Sequence, residues 1–501
     1  MTAVLINPKL LVNKFDKFTT GIVYMPINLA YINSSLKKNN INTKIIDLFG
    51  SNPKQAKINT SKIEIGEDID IAMKNIETEI SKNNQGIVFF LYANQIINHD
   101  SVIDIIRYLK KNYSSNKLVL VENTQAVTAY SLRKIKDIFF KAGVDIILCG
   151  DAEKKSVEIY EALKNNTDIS VINNIITPNF DNKKNDNIEN IDHINFPDWS
   201  DFNLKNYWKI LHAHGPFSSN KYLPILTSRG CPYPCKFCVI PETTYRRWRG
   251  RSSKNIVDEI EYYMKKYNVL EFHLEDLNPT VNEKRILEFC HEILKRKIKI
   301  SWKIVSGTKV ESIKNLETIK LMSQSGCKYI SISPESGSAR LMKLIDKPFD
   351  LNHAEKLIHQ MNLYNIKSQA CFVLGFPGEN NNDRELTKEM VLQLTKKGLD
   401  EIAVFIITPI PGSKIFDQFS GYDSFSDLNF SPTWRNDYKN LNRFRIKLYR
   451  IFLLTKLRFY PKKIFKQILN FFTLNFQTKM EMVPFKALRL TILHFKLLWK
   501  N

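Results

Sequence analysis

Cysteine is scarce in this chain, with seven in 501 residues. Cys149, Cys290, Cys327 and Cys371 each stand alone in an apolar segment, where a single thiol is usually a small buried hydrophobe. A secreted disulfide framework is therefore excluded, and a reducing cytoplasm is the expected compartment. Long apolar runs are missing as well: none approaches the roughly 20 residues that span a bilayer. The opening MTAVLINPKL has neither a basic leader nor a long apolar core and reads as a first buried strand, not a signal peptide. The expected protein is soluble, or at most peripheral. No repeat of solenoid period occurs. Acid is short relative to base, 51 Asp and Glu against 73 Lys and Arg, for a net charge of +22. Such a balance points to an anionic partner, although Lys-rich, Asn-rich composition also follows from genome base bias.

What is present divides along the chain. A length of 501 residues exceeds one ordinary core. Residues 1–165 alternate short apolar runs (AVLINP, TKIIDLF, GIVFFLYA, KLVLVEN, VDIILCGD) with helical patterns. Continuous apolar strands separated by helices imply a parallel sheet covered on both faces, a doubly wound α/β domain with ligands beyond the carboxyl ends of its strands. Residues 166–220 lose that rhythm. A polar Asn- and Lys-rich stretch, then FPDW and NYW, read as a linker that packs by its aromatics. In 221–433 six further strand-and-helix units follow: YLPILTS, VLEFHLED, KISWKIVSG, KYISISPE, KSQACFVLG and EIAVFIITP. Right-handed crossovers curl such a series into a partial (β/α)6 barrel whose active groups lie at the carboxyl ends of its strands. Residues 434–501 form a basic, helical C-terminal region, with Pro461 and Pro484 expected to break it into two or three helices.

The remaining cysteines, Cys231, Cys235 and Cys238, fall within RGCPYPCKFC, directly after the first barrel strand. A structural zinc site wants four protein ligands, and no second pair or loop histidine is at hand. A four-iron cluster ordinarily takes four thiolates. With three, one iron keeps an open position where chemistry can occur.

This spacing, with Phe237 before the last cysteine, resembles the signature of the radical S-adenosylmethionine superfamily. The resemblance implies a 4Fe-4S cluster on Cys231, Cys235 and Cys238, and S-adenosylmethionine bound by its amino and carboxylate groups to the open iron. It also implies an external electron donor such as flavodoxin or ferredoxin. RRWRGRSSKNIVDEI follows the loop as in family members, with Ser252 or Ser253 as helix cap. Glu275 and Asp276 in LEDLNP, and Glu335 and Ser336 in SPESGS, stand where the family places cofactor-facing groups. Gly230 lets the loop turn. Phe237, Ser306, Gly375 and Pro409, in the loop and at the ends of the third, fifth and sixth strands, complete the cofactor-facing set.

An α/β domain before the barrel resembles that of the cobalamin-binding class, which includes radical methyltransferases and the anaerobic magnesium-protoporphyrin ester cyclase. GDAEKKSVEIYEAL resembles that class's GEGE-type strand end, so cobalamin is an implied cofactor. Two departures stand against it: no DxHxxG signature occurs, and VENTQAVT replaces a Gly-Gly pair. His99 follows a strand but reads as a surface or cap residue. Methylthiotransferases need three N-terminal cysteines, and only Cys149 precedes Cys231.

The resemblance thus implies methylation of an unactivated carbon of a small-molecule or lipid-linked substrate. A radical cyclisation or rearrangement on the same scaffold is the nearest alternative, and a non-catalytic metal-binding protein is the alternative of another class. In 434–501 sixteen Lys or Arg stand against Asp437 and Glu481. This tail can cap the barrel, contact an anionic membrane surface, or meet nucleic acid; no nucleic-acid motif supports the third.

Overall fold

The computed structural model describes residues 1–59, 61–81, 86–184 and 188–498. Positions 185–187 of the expected linker and 499–501 of the tail lie outside that range.

The N-terminal sheet is built from β1 (Thr2–Asn7), β2 (Thr43–Asp47), β3 (Ile87–Ala93), β4 (Lys117–Glu122), β5 (Ile146–Leu148) and β6 (Ile175–Ile176), in the order β2-β1-β3-β4-β5-β6. All pairings are parallel except β5 with β6. Both faces are apolar: Leu5, Phe90, Val119 and Leu148 pack to one side, Val4, Phe89, Leu120 and Ile147 to the other. That double burial is why these strands read as unbroken apolar runs. Helices α1 (Ile27–Lys38), α2 (His99–Asn112) and α3 (Glu153–Asn165) flank the sheet. The antiparallel β6 comes from the segment expected as linker, so the sheet takes one more strand than the α/β alternation predicts. Strand order reverses between β1 and β3, and the crevice at a doubly wound sheet's reversal point is its usual ligand site. The rest of the segment packs by its aromatics as expected: Trp199 and Tyr207 are fully buried, and the Tyr207 hydroxyl donates to Asp47 at 2.8 Å.

The second sheet runs in sequence order through β7 (Leu223–Ile225), β8 (Glu271–Leu274), β9 (Ser301–Thr308), β10 (Cys327–Glu335), β11 (Lys367–Leu374) and β12 (Glu401–Ile406), all parallel. It is the open six-stranded barrel expected. Ser252 caps the helix after the cysteine loop, α4 (Ser253–Tyr267), by accepting from the Asn255 N–H at 3.2 Å.

The C-terminal region forms α5 (Tyr438–Phe459), α6 (Pro461–Phe472) and α7 (Lys479–Leu498). Pro461 opens α6, whereas Pro484 lies inside α7 and does not break it. It falls in the second turn, where a proline removes only one backbone bond. The region caps the barrel. Tyr449 accepts from the Val404 N–H of β12 at 3.1 Å, Phe476 N donates to Phe217 O ahead of β7 at 3.2 Å, and Met480 N donates to Glu401 at 2.7 Å. Both open edges of the sheet are thus tied together by one segment.

Candidate functional site

The cysteine loop leaves β7 through Ser228–Arg229 and returns at Arg249–Gly250, which pair antiparallel and pin its base. Gly230 sits between them with φ +77°, and a Cβ there would lie 1.9 Å from the Arg247 carbonyl oxygen. Only glycine satisfies both demands. Inside the loop Cys238 N donates to Cys235 O at 3.2 Å, and Lys236 is held by Ile345 O and Leu344 O. The Phe237 ring packs edge-on against Phe376 at 5.3 Å, joining the loop to the end of β11.

Cys231, Cys235 and Cys238 are free, partly exposed thiols. Burial raises all three, Cys231 to about 11; Cys231 feels Cys235 as a like charge, and Cys238 feels both of the others. The Lys347 ammonium opposes that rise at all three, and Lys309 does so at Cys231 and Cys235. Three adjacent thiols under cationic side chains suit a cluster that displaces their protons. Among the described residues no three His, Cys, Asp or Glu side chains converge on a single ion position. A cubane does not require that, because each thiolate bonds its own iron.

Glu335 ends β10 in the left-handed region, φ +60°, beyond an irregularity in the β10–β11 register. Non-glycine residues hold this conformation only where their surroundings impose it. The Glu335 side chain is fixed as well: Lys347 ion-pairs with its carboxylate in a buried setting. Burial raises the Glu335 carboxyl against the pull of Lys347, and Cys235 feels its charge. Glu335, Lys347 and the thiols therefore form one group.

The other expected residues divide. Glu275 extends beyond β8 and pairs at 2.5 Å with Nδ1 of His214, whose ring packs 4.5 Å from that of Tyr24. Asp276 turns the other way. Its oxygens accept from Thr227 N at 3.0 Å, Thr227 Oγ1 at 2.7 Å and Ser228 Oγ at 2.5 Å, so it braces the strand that launches the cysteine loop. Ser336 is likewise spent internally, on Thr387 Oγ1 at 3.0 Å and the Ser338 N–H. Ser306 is partly exposed at the end of β9. Gly375 (φ +82°) donates to Glu379 and accepts from Arg435, and Pro409 is buried.

Sequence reasoning missed the groups that dock the loop on the N-terminal sheet. Arg229 NH2 lies 2.5 Å from Glu153 and NH1 3.3 Å from Asp151, with its guanidinium 4.8 Å over the Tyr31 ring. Arg249 also pairs with Asp151. Burial alone would raise Asp151, yet the two arginines hold it down to about 2. The GDAE strand end thus serves to grip the cysteine loop.

The carboxyl ends of β1, β3 and β4 carry Asn7, Asn94 and Asn123, which join one another. Asn94 donates to Asn7 at 3.1 Å and Asn123 to Asn94 O at 2.6 Å. In the VENTQAVT loop Gln125 is buried and its Oε1 has no hydrogen-bond partner among the described residues. An unpartnered buried amide oxygen at the mouth of a doubly wound sheet fits a corrin ringed by amide arms. His99 does not. It is buried among Tyr130, Phe139 and Phe425, and burial pushes it down to about 4, so it is a core residue instead of the surface or cap residue its position suggests.

The barrel lumen is polar, a second feature missed. Every other residue of its strands points inward, including Glu271, Lys303, Tyr329, Gln369 and Glu401. Lys303 pairs with Glu271 at 2.9 Å, and the Tyr329 hydroxyl donates to Glu401 at 2.6 Å. The polar/apolar alternation in SWKIVSG and KSQACFV was its available signal.

Residues 225–391 match the model of the Radical SAM superfamily, so the resemblance carried by the cysteine loop extends over the first five strands of the barrel. Over 297 residues the chain is 25% identical to an uncharacterized methyltransferase of Pyrococcus horikoshii, covering 58% of this chain and 61% of that one. Over 250 residues it is 30% identical to the anaerobic magnesium-protoporphyrin IX monomethyl ester cyclase of Cereibacter sphaeroides, covering 48% and 39%. The chain thus spans less than two thirds of the length of these curated relatives. Among solved structures it resembles the radical S-adenosylmethionine methyltransferase TsrM from Kitasatospora setae, solved with cobalamin and a 4Fe-4S cluster bound. The TM-score is 0.61 at 14% identity, covering 85% of this chain and 79% of that one. At that identity the likeness is one of fold, and it takes in the N-terminal sheet as well as the barrel.

Proposed function

We propose that this protein is a radical S-adenosylmethionine enzyme of the cobalamin-binding class that methylates an unactivated carbon. The observation that carries the reading is the loop itself: three partly exposed thiols at the carboxyl end of the first barrel strand, opening on a polar lumen, with a doubly wound sheet docked over them. Cys231, Cys235 and Cys238 would hold the cluster, and the crevice at Asn94, Asn123 and Gln125 would hold the corrin. When bound, these groups supply reductive cleavage of S-adenosylmethionine and a methyl carrier.

The chain's own residues do the rest. Glu335 is placed to accept hydrogen bonds from the ammonium of S-adenosylmethionine, and Lys347 balances the charge of carboxylate and thiolates together. Phe237 and Gly375 shape the wall between loop and lumen, Ser306 and Glu275 face the lumen mouth, and Pro409 closes the sixth strand end. Asp276 and Ser336 act by holding strand ends in place. Arg229 and Arg249 hold the loop against the N-terminal sheet through Asp151 and Glu153.

Incubating the anaerobically reconstituted full chain with a one-electron donor such as flavodoxin and S-adenosylmethionine should yield 5′-deoxyadenosine, detected by mass. A Cys235→Ala variant should yield none. No nucleoside from a cluster-loaded preparation would overturn the reading. The likeness to a ring cyclase favours a second outcome on the same scaffold; a product carrying the trideuteromethyl group of labelled S-adenosylmethionine distinguishes methylation from cyclisation.

No described helix is long and apolar enough to cross a membrane. Peripheral contact is a different matter, and α6 supports it. Phe465, Ile468, Leu469 and Phe472 form one exposed face of that helix beside Leu454 and Leu457, with Arg458, Lys462 and Lys466 exposed around it. An uncovered apolar stripe rimmed by cations is the pattern of an interfacial helix on anionic lipid. A hydrophobic or lipid-linked substrate fits an enzyme held at such a surface.

A further inference from the structure

Three segments distant in the chain close around the cysteine loop at Lys236 and Pro232. Lys236 is next to Cys235, so their Cα atoms are about 3.8 Å apart. Lys236 N donates to Ile345 O at 3.1 Å and its Nζ to Leu344 O at 2.9 Å, at the end of the short helix Ala339–Leu344. From beyond β12, Lys414 N donates to Lys236 O at 2.9 Å. From the loop's return limb, Arg246 Nε donates to Pro232 O at 3.2 Å. Tyr245 and Arg246 are consecutive left-handed residues, with φ +54° and +57°, a strained turn that non-glycine residues keep only where their surroundings impose it.

Each segment brings an exposed cation to the loop: Lys343, Lys414 and Arg246. Among the described residues none of these three makes an ion pair. The acids carried by the same segments are Glu242, Asp346 and Asp417. Asp346 lies 3.6 Å from Lys236, and Glu242 lies 3.5 Å from Lys183. Exposed Asp417 is left to oppose the three cations. On the loop itself Lys309 lies 5.2 Å from the centre of the Tyr233 ring, with Glu311 at 2.8 Å to match its charge. Leu344, 44% exposed, adds an apolar side chain to this rim.

An excess of unpaired cations beside an exposed apolar residue suits a transient contact with an acidic protein, because charge steers the encounter and a small contact area lets the partner leave. The rim also abuts the thiols, so a carrier seated there needs no path through the barrel. We propose that Lys343, Lys414 and Arg246 form the docking surface of a small acidic one-electron carrier protein of the flavodoxin kind. Its flavin passes from anionic hydroquinone to neutral semiquinone, losing one electron and no proton, and the cluster takes up that electron. The redox role rests on the radical-enzyme reading; the charge-dependent docking does not.

Oxidised flavodoxin is titrated into the anaerobically reconstituted full chain, with binding read from its flavin fluorescence. Lys343→Glu with Lys414→Glu should raise the dissociation constant by about tenfold or more. Lys462→Glu with Lys466→Glu on α6 makes the same change in net charge and should stay within about twofold of wild type. Raising salt from about 0.05 M to about 0.3 M should weaken wild-type binding toward that of the first variant. Equal affinity of wild type and the Lys343, Lys414 variant would overturn the proposal, as would an equal loss in the α6 variant. Formation of 5′-deoxyadenosine separates the two readings. Driven by reduced flavodoxin it should fall about tenfold in kcat/KM in the Lys343, Lys414 variant. Driven by dithionite, which needs no docking surface, it should match wild type, and this also shows that the variant is folded and loaded. Charge-dependent binding with no nucleoside from either reductant retains the surface and removes the radical function. Nucleoside formed equally by both proteins with flavodoxin removes only the surface.

Discussion

The Arg229 guanidinium lies 2.5 Å from the Glu153 carboxylate, and this contact joins the residue two positions before Cys231 to the strand end of a different sheet. Both side chains are buried, at 4% and 6% exposure. A buried pair of this kind contributes little by existing, but breaking it leaves an uncompensated charge. The cysteine loop and the N-terminal sheet are therefore coupled.

Arg229→Met should destabilise the chain by about 3–5 kcal/mol, because Glu153 and Asp151 lose a buried partner. Denaturant midpoints measure this. In the double variant with Glu153→Gln the loss should be smaller than the sum of the single losses, and strict additivity would show that the two groups do not interact.

Gly230→Ala meets two obstacles, a left-handed backbone worth about 1–2 kcal/mol and a contact with the Arg247 carbonyl that cannot be kept. The loop should shift, and iron and sulfide incorporated on reconstitution should fall well below the wild-type level while far-UV circular dichroism is unchanged. Full incorporation would mean that the loop conformation is not required.

Glu271 provides a pH signature. Burial would raise its carboxyl, but Lys303 and His273 pull it down to about 2 from an ordinary 4.5. A depressed acid stabilises the fold above its unfolded value and loses that contribution as pH falls toward its folded value. The shift corresponds to about 3 kcal/mol at neutral pH. The stability gap between wild type and Glu271→Gln should be constant above pH 5 and should close between pH 4.5 and 2, read by urea unfolding across that range. A gap that widens on acidification would contradict the assignment.

Phe465→Ser with Phe472→Ser removes two exposed rings, each worth about 1.5–3 kcal/mol when buried. Co-sedimentation with phosphatidylglycerol vesicles should drop at least about tenfold, and neutral phosphatidylcholine vesicles should bind both proteins weakly. Equal sedimentation of wild type and variant would remove the membrane contact.

Much of this architecture was legible. The apolar runs of β1, β3 and β4 announce a sheet buried on both faces, and the spacing of Cys231, Cys235 and Cys238 is what the proposed cluster starts from. What escaped depends on contacts between residues distant in the chain. Glu275 and Asp276 are adjacent and chemically alike, yet beyond the end of β8 one turns to His214 and the other to Thr227 and Ser228, which spacing alone does not reveal. Asp151 and Glu153 read as a cofactor-binding strand end; their partners, Arg229 and Arg249, lie more than 75 residues away. Lys479 meets β9 across 174 residues. That the basic tail caps the barrel was among its possible readings, but a charge count does not say which of its cations face inward.

The most direct measurement is the stoichiometry and spectrum of the metal at the three thiols. Anaerobic reconstitution of the full chain should give four irons and four sulfides per molecule, the composition of one cubane. After reduction, its electron paramagnetic resonance signal should change when S-adenosylmethionine is added, because one iron is free to bind it. Cys231→Ala, Cys235→Ala and Cys238→Ala should each abolish the cluster. A spectrum indifferent to S-adenosylmethionine, or a full complement of iron in the Cys235→Ala variant, would contradict the account.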